Sequence, residues 1–250
     1  MRRTSALFLM LFIAATASAS DKVIHKTAAL DANGRLSIDT HNGSVTVTTW
    51  DRPSVDIQAR VIDEALVSDE DIKATDVRVS GSGSSVRIET DYGALGWGAG
   101  LWGEKQPRVQ YTITMPAGAA LKVTTHNAST RVTGLRSDVD VESHNGSIDI
   151  ADHQGAATID THNGRVRIAF NRFGRNSRIS THNGPIDVRI PSGSQFHFDA
   201  DGHHLRFDSD FAAMTRSIDR DRFVGDVNGG GPELRVTTHK APYVCTSRKR

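Results

Sequence analysis

The sequence is short of the things that usually hold a small exported domain together or give it chemistry. Cys245 is the only cysteine among 250 residues, so no internal disulfide can form. Aromatic residues make up 6% and prolines number seven, against 22 glycines. Beyond Ser20 there is no long apolar run, which excludes a membrane-spanning helix from the rest of the chain. Charge of neither sign dominates. Without Arg2 and Arg3, Lys and Arg fall from 30 to 28 against 29 Asp and Glu, a balance that offers nucleic acid no basic footprint. Stability must therefore come from apolar packing and backbone hydrogen-bond ladders, in a chain that is 37% hydrophobic and 24% charged.

The segment from Met1 to Ala19 reads as a secretory signal peptide. Arg2 and Arg3 give a positive start, Ala6 to Ala15 is an apolar run too short for a comfortable span, and Ala17-Ser18-Ala19 is an A-x-A cleavage site. No cysteine follows it to carry a lipid anchor. The expected destination is the periplasm or the cell surface, with residues 20–250 as the mature domain.

What the sequence does have is a repeat. His-Asn-Gly occurs at His41, His144, His162 and His182, with variants His-Asn-Ala at His126 and His-Lys-Ala at His239. The interval from His126 to His144 equals that from His144 to His162, and the next, to His182, is only slightly longer. Three residues before each histidine stand Ile38, Val123, Val141, Ile159, Ile179 and Val236. Four after it stand Val45, Thr130, Ile148, Val166, Ile186 and Tyr243, and six after it Val47, Val132, Ile150, Ile168, Val188 and Cys245. These are period-two strands of β-branched residues on either side of a turn. Cys245 falls in an inward column of Val and Ile, which predicts a buried, inert thiol.

Two architectures fit this alternation. Asn-Gly between alternating hydrophobics is a strong hairpin signal, so a meander of antiparallel hairpins is one. Against it, Pro185 and Pro242 follow the turn where a hairpin needs an N–H donor, and Lys240-Ala241 is ill suited to positive φ. The other is an all-β, parallel β-solenoid with one short strand stacked on its equivalent in the next coil, roughly 4.8 Å apart. Here His-Asn-Gly is one corner, and loops at 135–137, 152–155 and 171–174 are the other. Arg131, Asp149, Arg167 and Asp187, five residues after successive histidines, would then alternate in sign, and the asparagines would form an amide ladder. The parallel stack is the expected fold, with regular repeats over 117–192, flanking coils at 30–60 and 232–247, and irregular caps. A short helix is expected within 64–74, capped at Ser68, and strands at 77–90 and 108–115. Residues 202–231 interrupt the last repeat and are expected to cover an open end.

These units, with Pro-Ala-Gly-Ala-Ala-Leu at 116–121 leading in and Gly-Gly-Gly-Pro-Glu-Leu-Arg-Val-Thr-Thr at 229–238 closing, resemble the bacterial β-strand-repeat family called "putative adhesin", a domain of unknown function. The resemblance spans roughly residues 25–247. It implies an all-β solenoid-like fold in the envelope or at the surface, and it supplies no catalytic residues.

Three constellations could carry chemistry. Asp160-Thr161-His162 has the residue types of a catalytic triad, but in a strand Thr161 points away from the face shared by Asp160 and His162. His126, His144, His162 and His182 would stand in single file, where neutral imidazoles could take zinc or copper with Glu142 and Asp160 beside them. The bland alternative is a row of polar residues on a wet edge. Crowded imidazoles repel when protonated, which predicts lower stability below about pH 6. The calcium-roll pattern is absent. Lastly, Tyr92, Trp97 and Trp102 lie in a glycine-rich segment, 92–103. Exposed, these rings would suit a glycan, a protein partner or a membrane surface; folded back, they would cap the core.

With no paired carboxylates in a groove, the chain reads as a non-enzymatic envelope scaffold or adhesin without a cofactor, binding an unidentified protein or glycan. The competing readings are periplasmic metal capture by the histidine column and a carbohydrate-binding or carbohydrate-active β-helix.

Overall fold

The computed structural model describes residues 21–62, 67, 69–93, 106–202, 205–207, 213–219, 222–239 and 243–248. The signal segment, Ser68, Trp97 and Trp102 lie outside these residues. Alternating β-branched and polar residues produce an all-β chain whose strands run β1 (Lys22–Trp50), β2 (Ser54–Ile62), β3 (Asp76–Asp91), β4 (Arg108–Pro116), β5 (Ala120–Thr133), β6 (Val139–Asn145), β7 (Ile148–His153), β8 (Ala157–Asn163) and β9 (Val166–Phe170). They continue as β10 (Ser177–Thr181), β11 (Ile186–Pro191), β12 (Phe196–Asp201), β13 (Leu205–Phe207), β14 (Ala213–Asp219), β15 (Arg222–Val227), β16 (Glu233–Thr238) and β17 (Tyr243–Arg248). A short helix, α1 (Asp69–Ala74), buries Ile72.

Strands on the two sides of each His-Asn-Gly corner do not pair with each other. Each pairs in parallel with the equivalent strand of the next coil: Val123 with Val141, Val141 with Ile159, Ile159 with Ile179 and Ile179 with Val236 before the corner. Beyond the corner Val132 pairs with Ile150, Ile150 with Ile168, Ile168 with Val188 and Val188 with Cys245. The hairpin meander is thereby excluded for the repeat block.

A purely parallel stack is not what forms, because the sheet is mixed. At one end β2 runs antiparallel to both β1 and β4; at the other, β15 runs antiparallel to β12 and β14 to β15. The expected irregular caps are thus largely strands. The physical reason lies in the open ends of a stack, where unpaired N–H and C=O groups need partners. A chain that doubles back by a short connection, as at residues 51–53, supplies them antiparallel.

The order of coils in space is not their order in the chain. β1 sits beside β5 in register over Arg35–Val47 and Ala120–Val132, with β3 and β4 on its other side. The last coil, β16 and β17, lies between β10–β11 and β12–β13. β12 and β13 therefore add a further layer outside the final repeat.

Inward side chains from both ladders form one apolar cluster in which Ile38, Val141, Ile159, Ile150, Val188 and Cys245 are 0–1% exposed. Cys245 is a buried thiol outside any disulfide, as its column required. Toward the β12 end the core broadens into edge-on aromatic contacts, Phe170 with Phe173 at 5.1 Å and Phe173 with Phe196 at 5.5 Å.

Candidate functional site

Each corner is built so that the next can lie directly on it. A Cβ on Gly164 would stand 2.0 Å from the carbonyl oxygen of Gly146, and one on Gly184 1.9 Å from that of Gly164. Only glycine lets the backbones approach this closely.

The asparagine beside each glycine then falls into register. Asn127 donates its side-chain amide to Asn42 at 3.0 Å, Asn145 to Asn127 at 2.8 Å, Asn163 to Asn145 at 2.9 Å, and Asn183 to Asn163 at 2.7 Å. One amide ladder thus spans five coils. On its inner side the residue preceding each histidine is buried: Thr40, Thr125, Ser143, Thr161, Thr181 and Thr238. Thr90 donates to Thr40 at 2.9 Å and Thr125 to Ser143 at 3.0 Å.

Outside the ladder stands the histidine column, as a continuous stack of rings. Centroids are 4.6 Å apart from His41 to His126, 4.8 Å to His144, 5.0 Å to His162, 4.8 Å to His182 and 5.0 Å to His239. The four expected imidazoles are brought together, and His41 and His239 join them. These two share the same sequence signal. Their adjacency rests on pairings that span long stretches of chain, which the repeat spacing does not convey.

Interplanar angles are 1–12° over the first five rings, so ring nitrogens of neighbours run side by side rather than converging on a point. Among the described residues no group of three or more His, Cys, Asp or Glu is placed to hold a metal ion. A groove beside the stack also holds Glu142, Asp160 and the buried Thr161. Thr161 is 1% exposed and faces inward, while Asp160 and His162 are exposed, so the triad residues do not meet. Partial burial, reinforced by the neighbouring His126, holds the His41 imidazole below its ordinary pKa, against an opposing pull from Asp39.

Tyr92 is not an exposed platform. It is 8% exposed, and its hydroxyl accepts from the backbone N–H groups of His41 (3.3 Å) and Asn42 (3.4 Å). The ring is spent on holding the first corner of the stack.

The post-corner ladder presents its own polar groove, which sequence reasoning did not single out. Ser44, Ser129, Arg131, Asp149, Arg165 and Arg167 line it, together with the buried Thr130. The alternating column is in register, Arg131 opposite Asp149, Asp149 opposite Arg167 and Arg167 opposite Asp187. Arg167 reaches Asp149 at 3.7 Å.

A sequence profile of the family described as Toastrack DUF4097 matches residues 6–216. No curated protein matches the sequence. Among solved structures, a putative cell adhesion protein from Clostridium sporogenes is 9% identical, covering 91% of this chain and 100% of its own, with a TM-score of 0.53. A putative adhesin from Bacteroides fragilis is 13% identical, covering 92% and 99%, with a TM-score of 0.47. At these identities the first likeness concerns the fold alone. Among the described residues no helix is long and apolar enough to cross a membrane.

Proposed function

The chain belongs to the Toastrack DUF4097 family, and from that premise we propose that it is an exported, non-enzymatic envelope protein that works as an adhesive scaffold. The observation that carries this reading is the register of its outer faces. Parallel coils place like positions in straight rows: six imidazoles, five amides, and alternating Arg and Asp. Such rows suit a long ligand held by many weak contacts, each repeating at the coil spacing. They do not suit catalysis, which needs unlike groups converging on one reacting atom. The separation of Thr161 from Asp160 and His162 accords with this, as does the adhesive role suggested for the Clostridium protein. Export rests on the signal-like segment from Met1 to Ala19.

The test has two arms. Purified chain is immobilised and challenged with intact bacteria and with isolated envelope fragments; retention above that of a heat-unfolded control is expected. The same protein is incubated with a panel of envelope polysaccharides while reducing ends are assayed. Release of product would overturn the non-enzymatic reading, and absence of retention would overturn the adhesive one.

A further inference from the structure

The post-corner groove is where the outer face has polar groups that its own fold leaves unused. Two neighbouring columns form it. In the first, Ser44 pairs with Ser129, and the column continues to Ser147 and Arg165: the amide of Thr130 donates to the carbonyl of Ser147 (2.9 Å) and that of Ile148 to the carbonyl of Arg165 (2.8 Å). In the second stand Arg131, Asp149, Arg167 and Asp187.

The ion pairs in the second column close on themselves. Asp149 is taken by Arg167 at 3.7 Å and Asp187 by Arg189 at 3.5 Å. Arg131 faces Asp149 in register without reaching it, so Arg131 and Arg165 make no ion pair among the described residues. The hydroxyls of Ser44, Ser129 and Ser147 make no side-chain hydrogen bond there either. Between the two columns Thr130 turns inward, 2% exposed and in register with Val45 and Ile148, so Ser129 and Arg131 on either side of it face outward.

We propose that this groove binds a linear, carboxylate-bearing glycan, with Arg131 and Arg165 clamping its carboxylates and the serine row bonding its hydroxyls. The proposal rests on the adhesive reading and gives it a ligand class. Three features point to that class. Guanidinium forks match planar carboxylates through paired N–H bonds. Serine hydroxyls both donate and accept, as sugar hydroxyls do. The lining carries no aromatic ring on which a nucleobase could stack. The straight columns, repeating at the interstrand spacing, fit a polymer rather than a compact ligand.

The experiment is calorimetric titration of the full chain with oligogalacturonate, with the same oligosaccharide after carboxyl reduction, and with single-stranded DNA of equal length. Binding of oligogalacturonate is expected, weakening at least about tenfold on carboxyl reduction or in the double variant R131Q/R165Q. R178Q removes an exposed guanidinium from the other ladder and is expected to leave binding unchanged. Failure of the wild-type chain to bind, equal binding of the reduced sugar, tighter binding of DNA, or insensitivity to R131Q/R165Q each overturns the proposal. Circular dichroism of every variant establishes that it is folded. Retention of bacteria separates the two readings: undiminished retention by R131Q/R165Q removes the groove but leaves the scaffold, whereas no retention by wild type removes the scaffold.

Discussion

The imidazoles of His144 and His162 lie face to face, 5.0 Å between centroids and 1° between planes. A full coil of chain separates them, yet the stacking of one corner on the next leaves their side chains no other arrangement so close-packed. Near-parallel stacking recurs from His41 to His182, and His239 joins the row tilted by 34°.

Acid should weaken the fold. Burial holds His153 below the ordinary histidine pKa, and the contact of its Nε2 with the carbonyl of Ala156 at 3.2 Å and the charge of Asp138 oppose this only in part. His41 is shifted the same way. A folded pKa below the unfolded value means that the unfolded chain binds more protons, so stability is full above about pH 6.5 and falls as pH drops through the folded values. At His41 the neighbouring His126 ring adds to the effect of burial. Thermal melts from pH 8 to pH 5 should show a falling midpoint; a flat midpoint would refute the assignment.

Removing a central rung of the amide ladder should cost more than removing an end one. Asn145→Ala breaks the bonds to both Asn127 and Asn163, whereas Asn42→Ala breaks only that to Asn127. At about 0.5–1 kcal/mol for each partly exposed bond, the central variant should lose about twice as much stability in urea titrations. Equal losses would mean that the ladder carries no additive weight.

Corner glycines should be intolerant for steric reasons alone. Gly164→Ala drives a methyl group to within 2.0 Å of the Gly146 carbonyl oxygen, while a Cβ on Gly193 meets nothing within 4 Å. The first should lose about 2–4 kcal/mol or fail to fold, and the second should change by less than about 1 kcal/mol. Chemical denaturation of the two variants side by side decides the matter.

Cys245 should behave as core rather than as a reactive group. It is fully buried in the column of Val188 and Ile168. A thiol reagent should leave the native chain unlabelled and modify it stoichiometrically once unfolded. Rapid labelling of native protein, or a disulfide-linked dimer on non-reducing gels, would contradict this placement.

The C-terminal strands should be indispensable even though they come last. β16 and β17 lie between two other coils, so a chain ending at residue 232 loses a layer from inside the stack. It should fail to fold cooperatively, judged by the loss of a sharp melting transition. A truncated chain that melts as sharply as the full one would show that the outer coil docks independently.

Much of this was legible beforehand because local rules act within one repeat. Alternation at positions −3, +4 and +6 from each histidine fixes which side chains face inward, and the buried set follows it from Ile38 to Cys245. Asn-Gly fixes the corner, and near-equal spacing fixes the register once coils stack, so the four central histidines were identifiable together. The choice between an exposed and a folded-back Tyr92 could not be made from the sequence, because its burial depends on contacts with His41 and Asn42, which are remote along the chain. The Arg131 and Arg165 groove was also hidden: it exists only where two ion pairs elsewhere leave these cations over.

By itself, then, the sequence determined the strands, their inward and outward faces, the glycine corners and the buried thiol, since each depends on residues close along the chain. Only the tertiary structure decided which coil lies beside which. The copies are nearly interchangeable in register and hydrophobic pattern, so a parallel ladder could accept several of them at any position. Global packing settled β1 against β5 and slipped β16 between β10 and β12, together with the antiparallel strands that close the ends.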